Sequence, residues 1–141
     1  MYILDTDHVS ILEQEDSAEA QRLSARLETV PEEDIATTII TYEEQTRGWL
    51  AFASKARTAA QEIKAYQRLQ ENLDDFRRIT VLEFGEEAST EYQRLKRSRL
   101  RIGSMDLKIA AITLTLDATL LSRNLRDFRK IEGLKVEDWT I

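Results

Sequence analysis

Short apolar runs separated by much longer stretches of helical periodicity constrain this chain more than any other feature. Tyr2-Ile3-Leu4, Ile35 to Ile39, Ile79 to Leu82 and Ala118 to Ser122 are too brief for helices, and Ile35 to Ile39 is rich in β-branched residues. Leu134 to Val136 is a fifth, weaker run. Strands that alternate with helices build a parallel sheet covered on both sides. The expectation is an α/β fold: a single domain over residues 1–141, with a central parallel β-sheet of four to five short strands flanked by helices on both faces.

The intervening segments supply the helices. A first one runs from about His8 to Glu13, with Thr6 or Asp7 as its cap. Asp16-Ser17-Ala18-Glu19 reads as a capping box opening a second, with Ala20, Leu23 and Leu27 on one face. Pro31 and the acids after it break the chain before the second strand. Thr41 to Phe76 is long for one helix, so two are expected, breaking near Ser54 to Thr58. Trp49, Phe52, Ala53 and Ala56 form one apolar face, and Ile63, Tyr66, Leu69, Leu73 and Phe76 another. A further helix spans about Glu86 to Leu100. Ser104 caps a nearly all-apolar helix through Leu116, a composition suited to burial.

Composition narrows the chemistry. A length of 141 residues buries a core without covalent staples, and the absence of cysteine excludes disulfides, thiolate catalysis and cysteine-built metal centres. With a single histidine, His8, no two-histidine centre can form; His8 itself reads as a helix-surface residue. The net charge of −6 argues against a general electrostatic grip on nucleic acid, but not against a local basic patch. No apolar run approaches the roughly 20 residues that span a bilayer, and no basic segment leads into an apolar one at the start. A soluble, cytoplasmic protein is expected.

Ligands of parallel sheets bind beyond the carboxyl ends of the strands, so the acids placed there matter most. Asp5 follows the first strand. Glu44 falls in the first turn of the helix after the second, Asp106 in the first turn of the buried helix, and Asp127 after the strand ending at Ser122. Brought together, four like charges would repel and raise one another's pKa. A divalent cation relieves that, since hard ions such as Mg2+ take carboxylate oxygens and keep several waters. Singly, each acid has an ordinary explanation. Asp5 can cap a helix, Glu44 completes a Thr41-Tyr42-Glu43-Glu44 capping box, Asp106 suits a helix dipole, and Asp127 sits among arginines. Their coincidence at equivalent topological positions carries the argument.

These residues also resemble a known family. "YILDTDHVS", "TIITYEEQTRGW" and "GSMDLKIAAITLTLDATLLSRNLRDFRKIEGLKVEDW" are similar, in that order, to the motifs of PIN-domain proteins, and above all of VapC-type ribonuclease toxins. The likeness extends from Met1 to Trp139, with the middle carrying no distinctive motif. It implies that Asp5, Glu44, Asp106 and Asp127 hold Mg2+ or Mn2+ and activate water against an RNA phosphodiester. Glu44 rather than Glu43 is selected because it lies four residues before Gly48. The likeness further implies a cognate VapB-like antitoxin that places an arginine into the acidic site, and a homodimer. Asp7 stands where many relatives carry asparagine or serine, and is expected to cap a helix at the edge of the site.

Thr6, Ser122 and Asn124 are candidate supporting residues that orient carboxylates, waters or phosphate oxygens, or else ordinary turn residues. Arg94, Lys96, Arg97, Arg99 and Arg101 form the clearest basic run. A solvated helix face explains it, and phosphate contact through Arg94, Arg97 and Arg101 is the functional alternative. The aromatic face from Trp49 to Phe76 is expected to be mostly core, with part exposed as a groove for an antitoxin helix or as a dimer patch. Three other readings stay open. Asp5-Thr6-Asp7-His8-Val9 fits the D-x-D-x-[TV] opening of haloacid-dehalogenase-like phosphatases, with Asp5 as nucleophile, although "SRNLRDF" supplies their later lysine and acid pair poorly. A non-catalytic module that keeps the fold to bind RNA or protein is another. A DNA-directed nuclease is the third, with little room for the inserts that grip a duplex.

Overall fold

The computed structural model describes residues 1–141. Strand β1 (Tyr2–Leu4) leads directly into helix α1 (Thr6–Leu12), and α2 (Ala18–Leu27) follows. A 3-10 turn at Glu32–Asp34 precedes β2 (Ile35–Thr38), then α3 (Ile39–Ser54) and α4 (Ala59–Arg78). The chain continues through β3 (Thr80–Leu82), α5 (Glu86–Arg97), α6 (Ser104–Thr115), β4 (Thr119–Leu121), α7 (Leu125–Phe128) and β5 (Lys135–Glu137). The five strands form one parallel sheet in the order β3-β2-β1-β4-β5. β1 therefore lies at the centre, and the chain departs to β2 on one side and β4 on the other. That reversal makes a crevice beyond the end of β1, where parallel sheets hold ligands.

Side chains alternate across the sheet and divide the core in two. Ile3 and Leu120 face α5, α6 and α7, within a cluster that includes Tyr92, Leu95, Ile109, Ile112 and Phe128. Their neighbours Leu4 and Leu121 face the other way, onto Ile11, Ala20 and Leu23 of α1 and α2 and onto Trp139. Helix α6 buries six of its residues, as its all-apolar composition requires. α3 and α4 form a hairpin joined by Asn72 Nδ2 donating to Thr46 Oγ1 at 3.0 Å and by an edge-on Tyr42–Phe76 contact.

Several boundaries differ from the sequence expectations for local reasons. α1 starts at Thr6 with Asp5 as its cap, not at His8 with Thr6 or Asp7. β2 stops at Thr38, whose hydroxyl caps α3 by accepting from Thr41 N at 3.1 Å. That leaves no Thr41 capping box, and puts Glu44 in the second turn rather than the first. Ser104 is the first helical residue of α6 and makes no cap; Gly103 occupies the cap position. α5 ends at Arg97, because Arg99 takes a left-handed turn (φ 54°) that stops the helix before Leu100. The break between α3 and α4 falls where expected, whereas the cap of α2 is Ser17, which accepts from Ala20 N, and not Asp16 as the Asp16-to-Glu19 capping box implies. On the α3–α4 hairpin, however, Leu50, Phe52, Ile63, Tyr66 and Leu73 are exposed, so that face is mostly surface rather than core.

Candidate active site

Each of the four acids is held by the start of a helix. Asp5 is the cap of α1, Asp106 lies in the first turn of α6 and Asp127 in the first turn of α7. Glu44 projects from the second turn of α3. Helix N-termini carry partial positive charge, so three of these carboxylates sit where backbone dipoles favour anions.

Neutral donors then fix their orientation. Asp5 Oδ1 accepts from Thr6 N at 2.8 Å, and Oδ2 from Ser122 Oγ at 2.7 Å. The Thr6 hydroxyl donates to Glu44 Oε1 at 2.8 Å and itself lies 3.2 Å from the buried Thr41 hydroxyl. Asn124 Nδ2 bridges Asp106 Oδ2 at 3.4 Å and Asp127 Oδ2 at 3.2 Å. Thr6, Ser122 and Asn124 are thus each bonded to one or more of the four acids, as a supporting set requires. Two residues behind them went unnoticed in the sequence. Thr37 donates to the Leu4 carbonyl at 2.8 Å, and buried Gln45 ties α3 to Ser10 Oγ at 2.6 Å. Both look like ordinary polar residues until the strands are paired, so no local signal marks them.

The electrostatics follow from this packing. Asp5 is 5% exposed, and burial pushes its carboxyl up to about 7, with Asp7 and Asp106 adding to the shift. Burial also raises Asp106, helped by the nearby charges of Glu44 and Asp127. Asp127 moves the other way, held down by Asn124 and by Lys130, whose Nζ lies 3.2 Å from Oδ1. The acids therefore share one electrostatic neighbourhood in which Lys130 is the only cation paired with any of them. Asp7 belongs to it too. It is not a cap: Oδ1 lies 2.7 Å from His8 Nδ1, and Oδ2 accepts from Arg123 N at 2.9 Å. Nor is His8 a surface residue, being wholly buried. The helix-surface reading misses this, because the second partner of His8, Trp139, comes from the far end of the chain.

No three of these side chains stand close enough together to hold one metal ion in this arrangement. The donor set nevertheless fits a hard divalent ion that keeps its own waters, which needs only one or two carboxylates. Glu44 Oε2 and Asp106 Oδ1 carry no hydrogen bond, and the Asp5 and Asp106 carboxyls are raised in a way that added positive charge would reverse. Among the basic candidates, Arg94 is paired with Glu91, whereas Arg97 and Arg101 are exposed at the end of α5 and just beyond it.

The family model described as "PIN domain" matches residues 2–134. "Ribonuclease VapC1" of Haemophilus influenzae (strain R2866) is 32% identical, covering 99% of this chain and 98% of that protein. "Ribonuclease VapC1" of Rickettsia felis is 41% identical over 62 residues, 41% of this chain and 46% of that protein. Among solved structures, VapBC-1 from nontypeable Haemophilus influenzae superposes with a TM-score of 0.77 at 25% identity, over 99% of this chain and 98% of that one. VapBC2 from Rickettsia felis, bound to a promoter DNA fragment, gives 0.74 at 26% identity over 98% of each. The parallel sheet is accordingly that of a relative of the VapC ribonucleases, and the chain belongs to the PIN-domain family.

Proposed function

We propose that this protein is a Mg2+- or Mn2+-dependent endoribonuclease and the toxin of a toxin–antitoxin pair. The observation that carries the reading is the convergence of Asp5, Glu44, Asp106 and Asp127 on the crevice beyond β1, oriented by neutral donors in a chain related to the VapC ribonucleases. Asp5, Asp106, Asp127 and Glu44 would supply the carboxylates that hold the ion, which would make a water more acidic and offset charge on the phosphodiester. Ser122 and Thr6 keep the Asp5 and Glu44 oxygens turned inward. Asn124 spaces Asp106 from Asp127, and exposed Arg97 and Arg101 meet the RNA backbone.

The partner reading rests on the α3–α4 hairpin. Leu50, Phe52, Ile63, Tyr66 and Leu73 expose apolar surface there, and the structural relatives are VapBC proteins. An amphipathic helix of a VapB-like antitoxin suits that face. No helix is long and apolar enough to cross a membrane, in keeping with a protein that meets RNA in the cytoplasm.

Incubating the chain with a panel of defined RNAs, with Mn2+ or with EDTA, tests the proposal. Cleavage that requires the ion and disappears in Asp106→Asn is the expected result. Cleavage that survives EDTA would remove the metal from the mechanism. Ion binding without cleavage of any RNA would favour a non-catalytic binding module.

A further inference from the structure

His8 is a buried residue whose two ring nitrogens are both engaged, on opposite sides. Nδ1 lies 2.7 Å from Asp7 Oδ1, and Nε2 accepts from the main-chain N–H of Trp139 at 3.2 Å. The second contact fixes the tautomer: Nε2 carries no proton, so Nδ1–H donates to Asp7. Asp138 Oδ1, 3.7 Å from Nε2, is already used by Thr140 N at 2.8 Å and Thr140 Oγ1 at 2.6 Å.

The C-terminal segment reaching His8 is itself anchored. The Trp139 ring packs on Tyr2 at 4.6 Å under the Arg26 guanidinium at 4.7 Å, and its Nε1 donates to Glu137 Oε2 at 2.7 Å. Arg22 Nε donates to the Thr140 carbonyl at 2.6 Å. On the other side of His8, Asp7 Oδ2 accepts from Arg123 N at 2.9 Å and lies 3.3 Å from Ser122 Oγ. Ser122 gives its one hydroxyl proton to the nearer Asp5 Oδ2 and accepts from Asn124 N at 3.0 Å.

We propose that His8 is a positioning residue, which ties the anchored C-terminal segment to Asp7 and through Asp7 sets the Ser122–Asn124 turn that orients Asp5 and leads into Asp127. This rests on reading the acid cluster as a metal-dependent site. The arrangement demands a carboxylate at position 7, by counting protons. An asparagine offers one acceptor and one donor, whereas both Arg123 N–H and His8 Nδ1–H must be accepted. Turning the asparagine either way sets two donors face to face. Moving the His8 proton to Nε2 transfers the conflict to Trp139 N–H.

Mn2+ titrated into the full-length chain, with free ion counted by electron paramagnetic resonance, tests the inference together with kcat and KM for RNA. Asp7→Asn and His8→Phe should each weaken Mn2+ by about tenfold or more, the scale of lost support behind metal ligands. Each should lower kcat with KM changed less than about twofold, since RNA contacts stay in place. The double variant should lose no more than the worse single variant, because both break one linkage. His8→Asn keeps a donor near the Nδ1 position but loses the acceptor for Trp139 N–H, so it should recover only part of the loss of His8→Phe. Asp7→Asn preserves volume at a partly exposed position, so it remains informative even if His8→Phe fails to fold. Folded variants that bind Mn2+ like the parent, losses that add, or full recovery in His8→Asn would overturn the inference while leaving the proposed function standing. A parent chain that binds no Mn2+ would overturn both.

Discussion

Two acidic regions of this molecule look alike in charge and differ in how they are built. One is the cluster of Asp5, Glu44, Asp106 and Asp127. The other joins Glu13 and Glu15, after α1, to Glu71 and Asp75 on α4, around a recess that also includes Trp49, Arg68 and Asn72. In both, carboxyls are pushed up first by burial and then by their neighbours: Asp5 and Asp106 in the first, Glu13 and Asp75 in the second. The second carries its own remedy. Arg68 pairs with Glu71 at 3.2 Å and lowers Glu13. In the first, the acids are oriented mainly by hydroxyls, an amide and a backbone N–H, which set direction without neutralising charge. An acidic patch becomes a candidate site when its carboxylates are aimed and left largely uncompensated.

The largest effect should come from the proposed ligands themselves. Asp106→Asn is expected to lower Mn2+-dependent RNA cleavage by about a thousandfold, the scale lost when charge stabilisation is removed from a reacting centre. Asp75→Asn, in the other region, should leave the rate unchanged; equal losses would erase the distinction between the two. Next is the orienting set: Ser122→Ala should cost about 10- to 100-fold in Mn2+ affinity or rate.

A third prediction concerns metal-free stability. The folded Asp5 carboxyl is raised from 3.8 to about 7, so the folded chain holds this proton more tightly than the unfolded one. Its contribution is fully present below the unfolded value and is lost as pH rises through the folded one, by up to about 4 kcal/mol. In EDTA, the parent should melt lower at pH 8 than at pH 5, and Asp5→Asn should shrink that difference. A melting temperature equally pH-dependent in both chains would assign the effect elsewhere. The smallest effect belongs to the compensated region: Arg68→Gln should cost less than about 1 kcal/mol, and less again in high salt. Denaturant melts at two salt concentrations measure it.

Much of this was readable from the sequence. The strand order needed the structure, but parallel pairing and burial on both faces followed from short β-branched runs alternating with helical ones. Asp5, Asp106 and Asp127 are singled out by their places after strands and at helix starts, Glu44 over Glu43 by the family resemblance, and the structure brings them into one electrostatic neighbourhood. Asp7 and His8 could not be placed: both read as features of a local helix start, while their partners Arg123 and Trp139 lie more than a hundred residues away. Helix ends also misled where the stop was a left-handed Arg99 instead of a glycine. Thr41 misled because the true cap, Thr38, is the last residue of a strand. Local patterns reveal what local energetics decide, and linkages closed by the fold stay hidden.

The position of β1 has a consequence for how the protein is made. Its three residues precede every other element described, yet they occupy the middle of the sheet, and their β4 partners come only after six of the helices. The Ser122–Asp5 contact spans 117 residues and the His8–Trp139 contact 131. Such long closures are slow relative to local helix formation. A growing chain thus carries its acids as separate side chains, and the cluster comes into being only when β4 and the turn after it dock beside β1.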